Sequence, residues 1–326
     1  MAGQLFAVGS QGGLLAGFNL TDELLKGNSA TQKFRQYADI KDAWNTKRSG
    51  ETFTWDLIPR MTRGNRALTE TSTIGQGQST VLQGTLTVSE RGFSVPYTEK
   101  LEKLAMIRVR QPIMDQLKYD SQCDLDALCH QQFNATPLRV ATTSTATFTL
   151  TTNGTATVTN SMAFGKLHSK AMTDLLKDRN IRPYRADDYY AIARHTTLRT
   201  LKNDMELIHQ YTESGMTMLM NGEIGRYEQI RYVEQTSVPA GGAGNSTTFD
   251  AFTDTSDAWD HAVSDWIFFF GADTVAEGLN TPEEVRFKEV TDYQRSRGIA
   301  WYALLGYGLA RTTAAEATCI KWDSAA

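Results

Sequence analysis

Hydrophobic and polar residues along the chain switch repeatedly between the two-residue period of a strand and the 3.6-residue period of a helix, and the switches lay out its elements. Residues 52–58 alternate, with Phe53, Trp55 and Leu57 on one side, and residues 81–95 alternate again. A polar stretch holding Gly64, Gly75 and Gly77 separates them, which predicts a long two-stranded excursion with a flexible tip. A lone hairpin is marginal in water, so a long one implies a surface beneath it. From Tyr97 to Asn134 the period becomes helical. Pro112 restricts the residue before it and suits the first turn of a helix, so one helix should end and another begin there. In the second, Ile113, Leu117, Leu125, Leu128 and Gln132 form a narrow face that includes Ser121, the pattern of a long, half-exposed helix.

Further along, residues 145–159 read as a β-hairpin. Ala146, Phe148 and Leu150 alternate with threonines, Asn153-Gly154 supplies a type I′ turn, and Ala156 and Val158 resume the alternation. Residues 164–179 predict a helix with Leu167, Ala171, Leu175 and Leu176 facing inward, 188–193 a buried strand, and 196–208 another helix. A strand at 228–233 leads into a Gly-, Ser-, Thr- and Asp-rich loop at 237–257. Residues 266–270, 285–290 and 318–322 predict strands, and "GIAWYALLGYGLART" at 298–312 is apolar on both faces and therefore buried. The first 44 residues mix glycines with apolar patches at Leu14, Leu15 and Phe18 and one helical stretch over 22–37. They read as an extended arm that cannot make its own core. No repeat of fixed period is visible.

Composition narrows the possible functions. A chain of 326 residues buries roughly three quarters of the surface it exposes when unfolded. Its net charge of −4 and pI of 5.8 argue against a dedicated nucleic-acid-binding domain, which carries a basic excess. The apolar run "WIFFFGA" at 266–272 falls far short of the roughly 20 residues that span a bilayer. The first basic residue is Lys26, so no secretory leader is expected. Cys123, Cys129 and Cys319 form no CxxC pair, so neither a disulfide framework nor a zinc site is expected, and synthesis in a reducing cytoplasm fits.

Candidate chemistry is sparse. Gly222-Glu223-Ile224-Gly225 lacks the spacing of a dinucleotide fingerprint and reads as a turn before a strand. His195, where a strand passes into a helix, occupies a position that hosts catalysis in α/β folds, although a capping or interface role is the simpler reading. Asp187-Asp188 and Glu283-Glu284 could serve as metal or acid/base carboxylates, but no third ligand stands at readable spacing. Arg60, Arg63 and Arg66 cluster at the tip of the long excursion. Guanidinium groups pair bidentately with carboxylates, so this cluster is a candidate contact for Glu70, Asp187 or Asp188 of a neighbouring copy; a solvated tip is the other reading. The Asn-x-Ser/Thr triplets at Asn19, Asn153 and Asn245 carry no weight without a secretory signal.

An arm without a core, a long excursion and a long half-exposed helix belong together in a protein built to assemble. Three stretches carry a resemblance: "YYAIARHTTLRTLKND" at 189–204, "NGEIGRYEQIRYVEQTSV" at 221–238 and "GIAWYALLGYGLA" at 298–310. The chain is similar to tailed-bacteriophage major capsid proteins of the Hong Kong 97 fold, and more closely resembles the capsid family named after the short-tailed coliphage N-four. The resemblance implies an α+β fold. Its parts would be an N-terminal arm at 1–45, an extended loop at 46–96, and a peripheral domain at 97–161 with the spine helix and an inserted β-hairpin. An axial domain at 162–282 and C-terminal strands at 283–326 would follow.

The resemblance further implies a non-enzymatic subunit without cofactor or metal, forming pentamers and hexamers of an icosahedral head. That head would enclose double-stranded DNA without reading its sequence, carry a portal at one vertex, and assemble in the bacterial host cytoplasm. Intersubunit contacts would fall to Leu14 and Phe18 of the arm and to Arg60, Arg63, Arg66 and Glu70 of the loop. The 145–159 hairpin and the 237–257 loop would be surface insertions facing a decoration protein or neighbouring capsomers. Some relatives cross-link through a lysine in the extended loop, but none lies between Gly50 and Val95 here, which excludes that link. Arm-like sequence begins at once, so a separate scaffolding protein is expected. The competing readings are a soluble α/β enzyme with His195 at its site, and another virion component such as a portal or packaging protein.

Overall fold

Trp266-Ile267-Phe268-Phe269-Phe270 is a run of large apolar residues with no exposed face, and the chain is arranged around it. The computed structural model describes residues 32–42, 51–59, 61, 70, 73–74, 76–105, 108–142, 144–154, 162–209, 226–236, 238 and 265–324. Its strands are β1 (Asp39–Asp42), β2 (Thr52–Leu57), β3 (Leu82–Thr87), β4 (Ser89–Thr98), β5 (Leu138–Thr142), β6 (Phe148–Thr151), β7 (Tyr189–Ala193), β8 (Arg226–Tyr227), β9 (Ile230–Glu234), β10 (Asp265–Phe270), β11 (Val275–Phe287), β12 (Ser296–Leu309) and β13 (Cys319–Ser324). The helices are α1 (Glu99–Leu104), α2 (Arg110–Asn134), α3 (Lys166–Asp178) and α4 (Arg199–His209), with a single 3₁₀ turn at Arg35–Tyr37.

Three sheets result. A seven-stranded mixed sheet has the order β6-β5-β13-β10-β7-β9-β8, a four-stranded sheet has the order β1-β11-β12-β4, and β2-β3 form a separate ribbon. Strand alternation sends Trp266, Phe268 and Phe270 of β10 into a core shared with Leu125, Cys129 and Phe133 of α2 and with Ile299, Ala303 and Leu305 of β12. Ile267 and Phe269 enter a second core on the opposite face, with Phe164, Met172 and Leu176 from the α3 region and with Leu201 and Trp322. A strand buried on both faces needs no polar alternation, which is why β10 reads as a continuous apolar run.

The long helix forms, with Pro112 in its first turn where the missing N–H costs nothing, but the helix before it ends at Leu104 and not at Pro112 as expected, and the long helix already begins at Arg110. At 25 residues it is about 37 Å long. Its buried stripe follows Ile113, Leu117, Ser121, Leu125, Cys129 and Phe133. Steps of four overshoot the 3.6-residue turn, so the stripe drifts round the helix, and Leu128 ends at its margin, partly buried.

Several local expectations are corrected. Residues 81–95 are two strands, because at Val88 the chain leaves β2 and joins β12 instead, with Val88 N–H donating to Glu51 O at 2.8 Å. Both halves keep the two-residue period, so alternation cannot reveal the change of partner. The strand at Phe148–Thr151 pairs with β5, which the sequence reading missed because all five of its residues are buried. The other limb of that expected hairpin lies outside the described residues. Helix α3 buries His168, Ser169, Met172, Thr173 and Leu176 and leaves Leu167 outward. Its polar groups go inward because they are satisfied there: Ser169 Oγ and Tyr232 Oη are 2.6 Å apart, and Thr173 Oγ1 donates to Glu228 O at 2.9 Å. Lastly, β11 begins at Val275, ten residues before the predicted strand.

The strand expected at 228–233 instead begins with a tight turn, since Glu228 and Gln229 join β8 to β9 with φ of 50° and 64°. Such a turn wants Asn-Gly, because left-handed backbone strains other residues. The double substitution Glu228→Asn with Gln229→Gly is expected to stabilise the chain by about 1 kcal/mol, read as a higher urea midpoint at unchanged slope.

Candidate assembly surfaces

The ribbon β2-β3 is held to the four-stranded sheet by a floor of glycines. Leu86 of β3 is buried over Gly278 of β11 and Gly308 of β12, where any side chain would approach it to 2.6 and 2.7 Å. At Gly306 a side chain would meet the Thr87 carbonyl oxygen at 2.1 Å. Close approach of two backbones is what requires glycine here. Trp55 lies over Gly84 within the ribbon and donates its indole N–H to Ala310 O at 3.0 Å. The base of the excursion is therefore pinned, while Ile58, Met61, Ile74 and Val81 farther out are exposed apolar residues.

The described part of the arm docks on its own chain. Phe34 is fully buried against His130, Phe133 and Phe268, with ring centroids 5.0 to 5.6 Å away. Next to it, Arg35 Nη2 meets the buried carboxylate of Glu277 at 2.9 Å and its Nη1 pairs with Glu283. Asp126 of α2 accepts from the Arg35 backbone N–H at 2.9 Å and from Gln235 Nε2 at 2.7 Å. Strand β1 then runs parallel to β11 from Asp39↔Ala276 to Asp42↔Leu279. Past Leu279, the outer edge of β11 has no strand partner among the described residues.

Electrostatics follow from this packing. Burial pulls the Arg35 guanidinium down, but hydrogen bonding to Glu277 and the surrounding carboxylates leave it above its ordinary value. Burial pushes Tyr37 up to about 12 and raises Asp126 above the usual carboxylate range against the pull of its hydrogen-bond donors. A carboxyl raised on folding stabilises fully below its unfolded pKa, and that contribution is lost as pH rises through the folded value. Asp126→Asn keeps an acceptor and removes the titration. It is expected to flatten part of the fall in stability as pH rises above the ordinary carboxylate range, measured by denaturant melts at each pH.

The hairpin joining β11 to β12 ends in Asp292, Tyr293 and Gln294, all with positive φ (55°, 51° and 71°), and Tyr293 is 98% exposed. Phe93, Val285, Phe287 and Val290 are further exposed apolar residues of β4, β11 and the segment after β11.

Of the residues singled out in the sequence, Leu14, Phe18, Arg60, Arg63 and Arg66 lie outside the described residues, as do Gly222–Gly225 and, Val238 aside, nearly all of the 237–257 loop. Glu70 is exposed. Asp188 is not available to a neighbour's arginines. It is buried and bonded to Arg226 at 2.6 Å and Arg231 at 2.7 Å of its own chain, while Asp187 stays exposed. Glu283 pairs with Arg35 and Glu284 with Arg286 at 2.6 Å. Among the described residues, no group of three or more His, Cys, Asp or Glu could hold a metal ion. His195 sits in the turn between β7 and α4, and burial together with Arg194 lowers its pKa. Glu234, the carboxylate acting on it, is ion-paired to Lys202 and so is not free to orient it. Sequence reasoning missed the glycine floor, whose members lie on strands far apart in the chain.

No protein-family model and no curated protein sequence matches the chain. Solved structures do. The capsid asymmetric unit of cyanophage Pam1 superposes with a TM-score of 0.67 at 14% identity, covering 100% of this chain and 99% of that one. The capsid of cyanophage P-SCSP1u gives 0.66 at 12% identity over 94% and 92% of the two chains. The head of Helicobacter pylori bacteriophage KHP40 gives 0.66 at 14% identity over 94% and 95%. The chain therefore has the α+β fold of tailed-phage capsid proteins, the Hong Kong 97 type, over essentially its whole length.

Proposed function

We propose that this chain is the major capsid protein of a tailed bacteriophage, self-assembling as pentamers and hexamers into an icosahedral head around double-stranded DNA. The observation that carries this reading is the end-to-end match to phage capsid chains: 100% of this chain and 99% of the Pam1 capsid chain align. The subunit is structural and makes no use of His195, whose neighbouring carboxylate is already paired. The N-four family supplies the finer assignment, on the three sequence stretches that resemble it. In the same reading, residues before β2 form the arm and β2-β3 the extended loop. Residues 97–161, with α2, form the peripheral domain, residues 162–282, with α3 and α4, the axial domain, and residues 283–326 the C-terminal strands that complete them. A separate scaffolding protein, a portal at one vertex and a decoration protein complete the assembly in the host cytoplasm and the virion.

Sedimentation and negative-stain electron microscopy test the proposal, on the protein alone and then co-expressed with its neighbouring genes. Capsomer rings or closed shells are the expected result. A small monomer under both conditions would overturn it. Within shells, the triple change of Arg60, Arg63 and Arg66 to alanine is expected to weaken assembly without lowering the melting temperature of the subunit, as a contact between copies requires.

A further inference from the structure

We infer that Lys321 and Asn134 react with each other to form a side-chain amide, releasing ammonia and joining the last residue of α2 covalently to β13. The pair is buried and held from several sides. Lys321 is fully buried, its Nζ lies 2.5 Å from Asn134 Oδ1, and it sits 3.5 Å from the centre of the Trp266 ring. A C=O bond is about 1.2 Å long, so the amine is no more than about 3.7 Å from the side-chain carbonyl carbon. That approaches the near-attack separation of roughly 3–3.5 Å. The helix end cannot easily swing away. Arg139 Nη2 donates to the Asn134 main-chain carbonyl at 3.4 Å, and Thr136 Oγ1 donates to Cys319 O at 2.6 Å, which pins the chain on both sides of the pair. His130, one turn earlier on α2, stacks against the same indole.

The chemistry needs no outside reagent. The neutral amine is the nucleophilic form. Its lone pair attacks Cγ of Asn134, Oδ1 takes up the charge, and the bond from Cγ to Nδ2 breaks as the carbonyl re-forms. One C–N bond forms and one breaks, nothing is oxidised or reduced, and a proton lost by Nζ leaves with Nδ2 as ammonia. Asp323 is placed to carry that proton. It is fully buried, lies two residues along β13 and so on the same face as Lys321, and stands opposite Trp266 across the strand pair. Exclusion of water also suppresses competing hydrolysis of the amide.

A Lys–Asn pair that is merely hydrogen-bonded would keep its ammonia, so mass separates the two. The intact mass of the purified folded chain is expected to fall short of the sequence mass by one ammonia. Proteolysis should yield a branched peptide joining the segments that contain Asn134 and Lys321. The branched peptide is decisive, because Asn153-Gly154 and Asn221-Gly222 can lose ammonia by cyclising on themselves. Lys321→Arg is expected to restore the full mass, and Asp323→Asn to retain ammonia for longer after folding. Full sequence mass in the folded wild-type chain, with Lys321 open to acylation once denatured, would overturn the inference. So would an ammonia loss that maps to another asparagine. Neither reading depends on a variant folding or on the assembly proposed above.

Discussion

A Gly306→Val chain is expected to keep both cores and lose its shells. A Cβ at this position would meet the Thr87 carbonyl oxygen at 2.1 Å, and that oxygen belongs to the backbone of β3, not to a side chain that can rotate away. The strand must therefore lift off its seat. Overpacking of this kind costs roughly 3 kcal/mol when the neighbour cannot yield. Lifting β3 also withdraws Leu86 from the floor made by Gly278 and Gly308, and it removes the indole of Trp55 from Ala310. The seven-stranded sheet and α2 make no use of that floor. Circular dichroism of the variant should stay near wild type while limited proteolysis cuts first in residues 58–81, and electron microscopy should show subunits without closed shells. A variant that assembles normally, with its ribbon protected, would show that the excursion is positioned by neighbouring copies and not by its own glycines.

Phe34→Ala is expected to be the most damaging single change in the described part of the arm. Phe34 is completely buried, packed among His130, Phe133 and Phe268, so truncation leaves a cavity between the arm and the centre of the core. Phe→Ala at such a site costs roughly 3–5 kcal/mol. The measurement is a denaturant melt, with the loss read as a lower midpoint. Arg35→Ala should cost less, about 1–3 kcal/mol, because Arg35 remains about a third exposed and the main loss is the buried Glu277 carboxylate left without its partner. Since the two side chains are adjacent and share one docking surface, their effects should not add. A Phe34→Ala chain as stable as wild type would mean that residues 32–38 are not part of the folding core.

Much of the fold could be read in order along the chain. Helix α2 was legible because its stripe and Pro112 agree, and β10, β12 and β13 were legible because runs such as "WIFFF" have no polar face to present to water. The resemblance carried by residues 189–204, 221–238 and 298–310 pointed to the capsid fold that the superpositions show. Other features were not legible, for one recurring reason. Strand β5 hides Arg139 and Thr142 in the interior, and α3 turns Ser169 and Thr173 inward, so in both the pattern of polar residues contradicts the pattern of burial. In α3, distant partners such as Tyr232 for Ser169 and Glu228 for Thr173 make those placements affordable.

The candidate assembly surfaces divide in the same way. The alternation of β2 and β3, the arginine cluster between them, the absence of lysine from that loop and the long half-exposed helix are all local features, readable because each depends on residues close together in the chain. The tertiary structure alone decided that Val88 marks a change of sheet, that Gly278, Gly306 and Gly308 form one floor under Leu86, that Arg35 reaches Glu277, and that Lys321 meets Asn134. Each of these joins residues far apart in sequence. Periodicity reports which face of an element is apolar, whereas the partner of that face is chosen by packing, where close-packed interiors admit few arrangements.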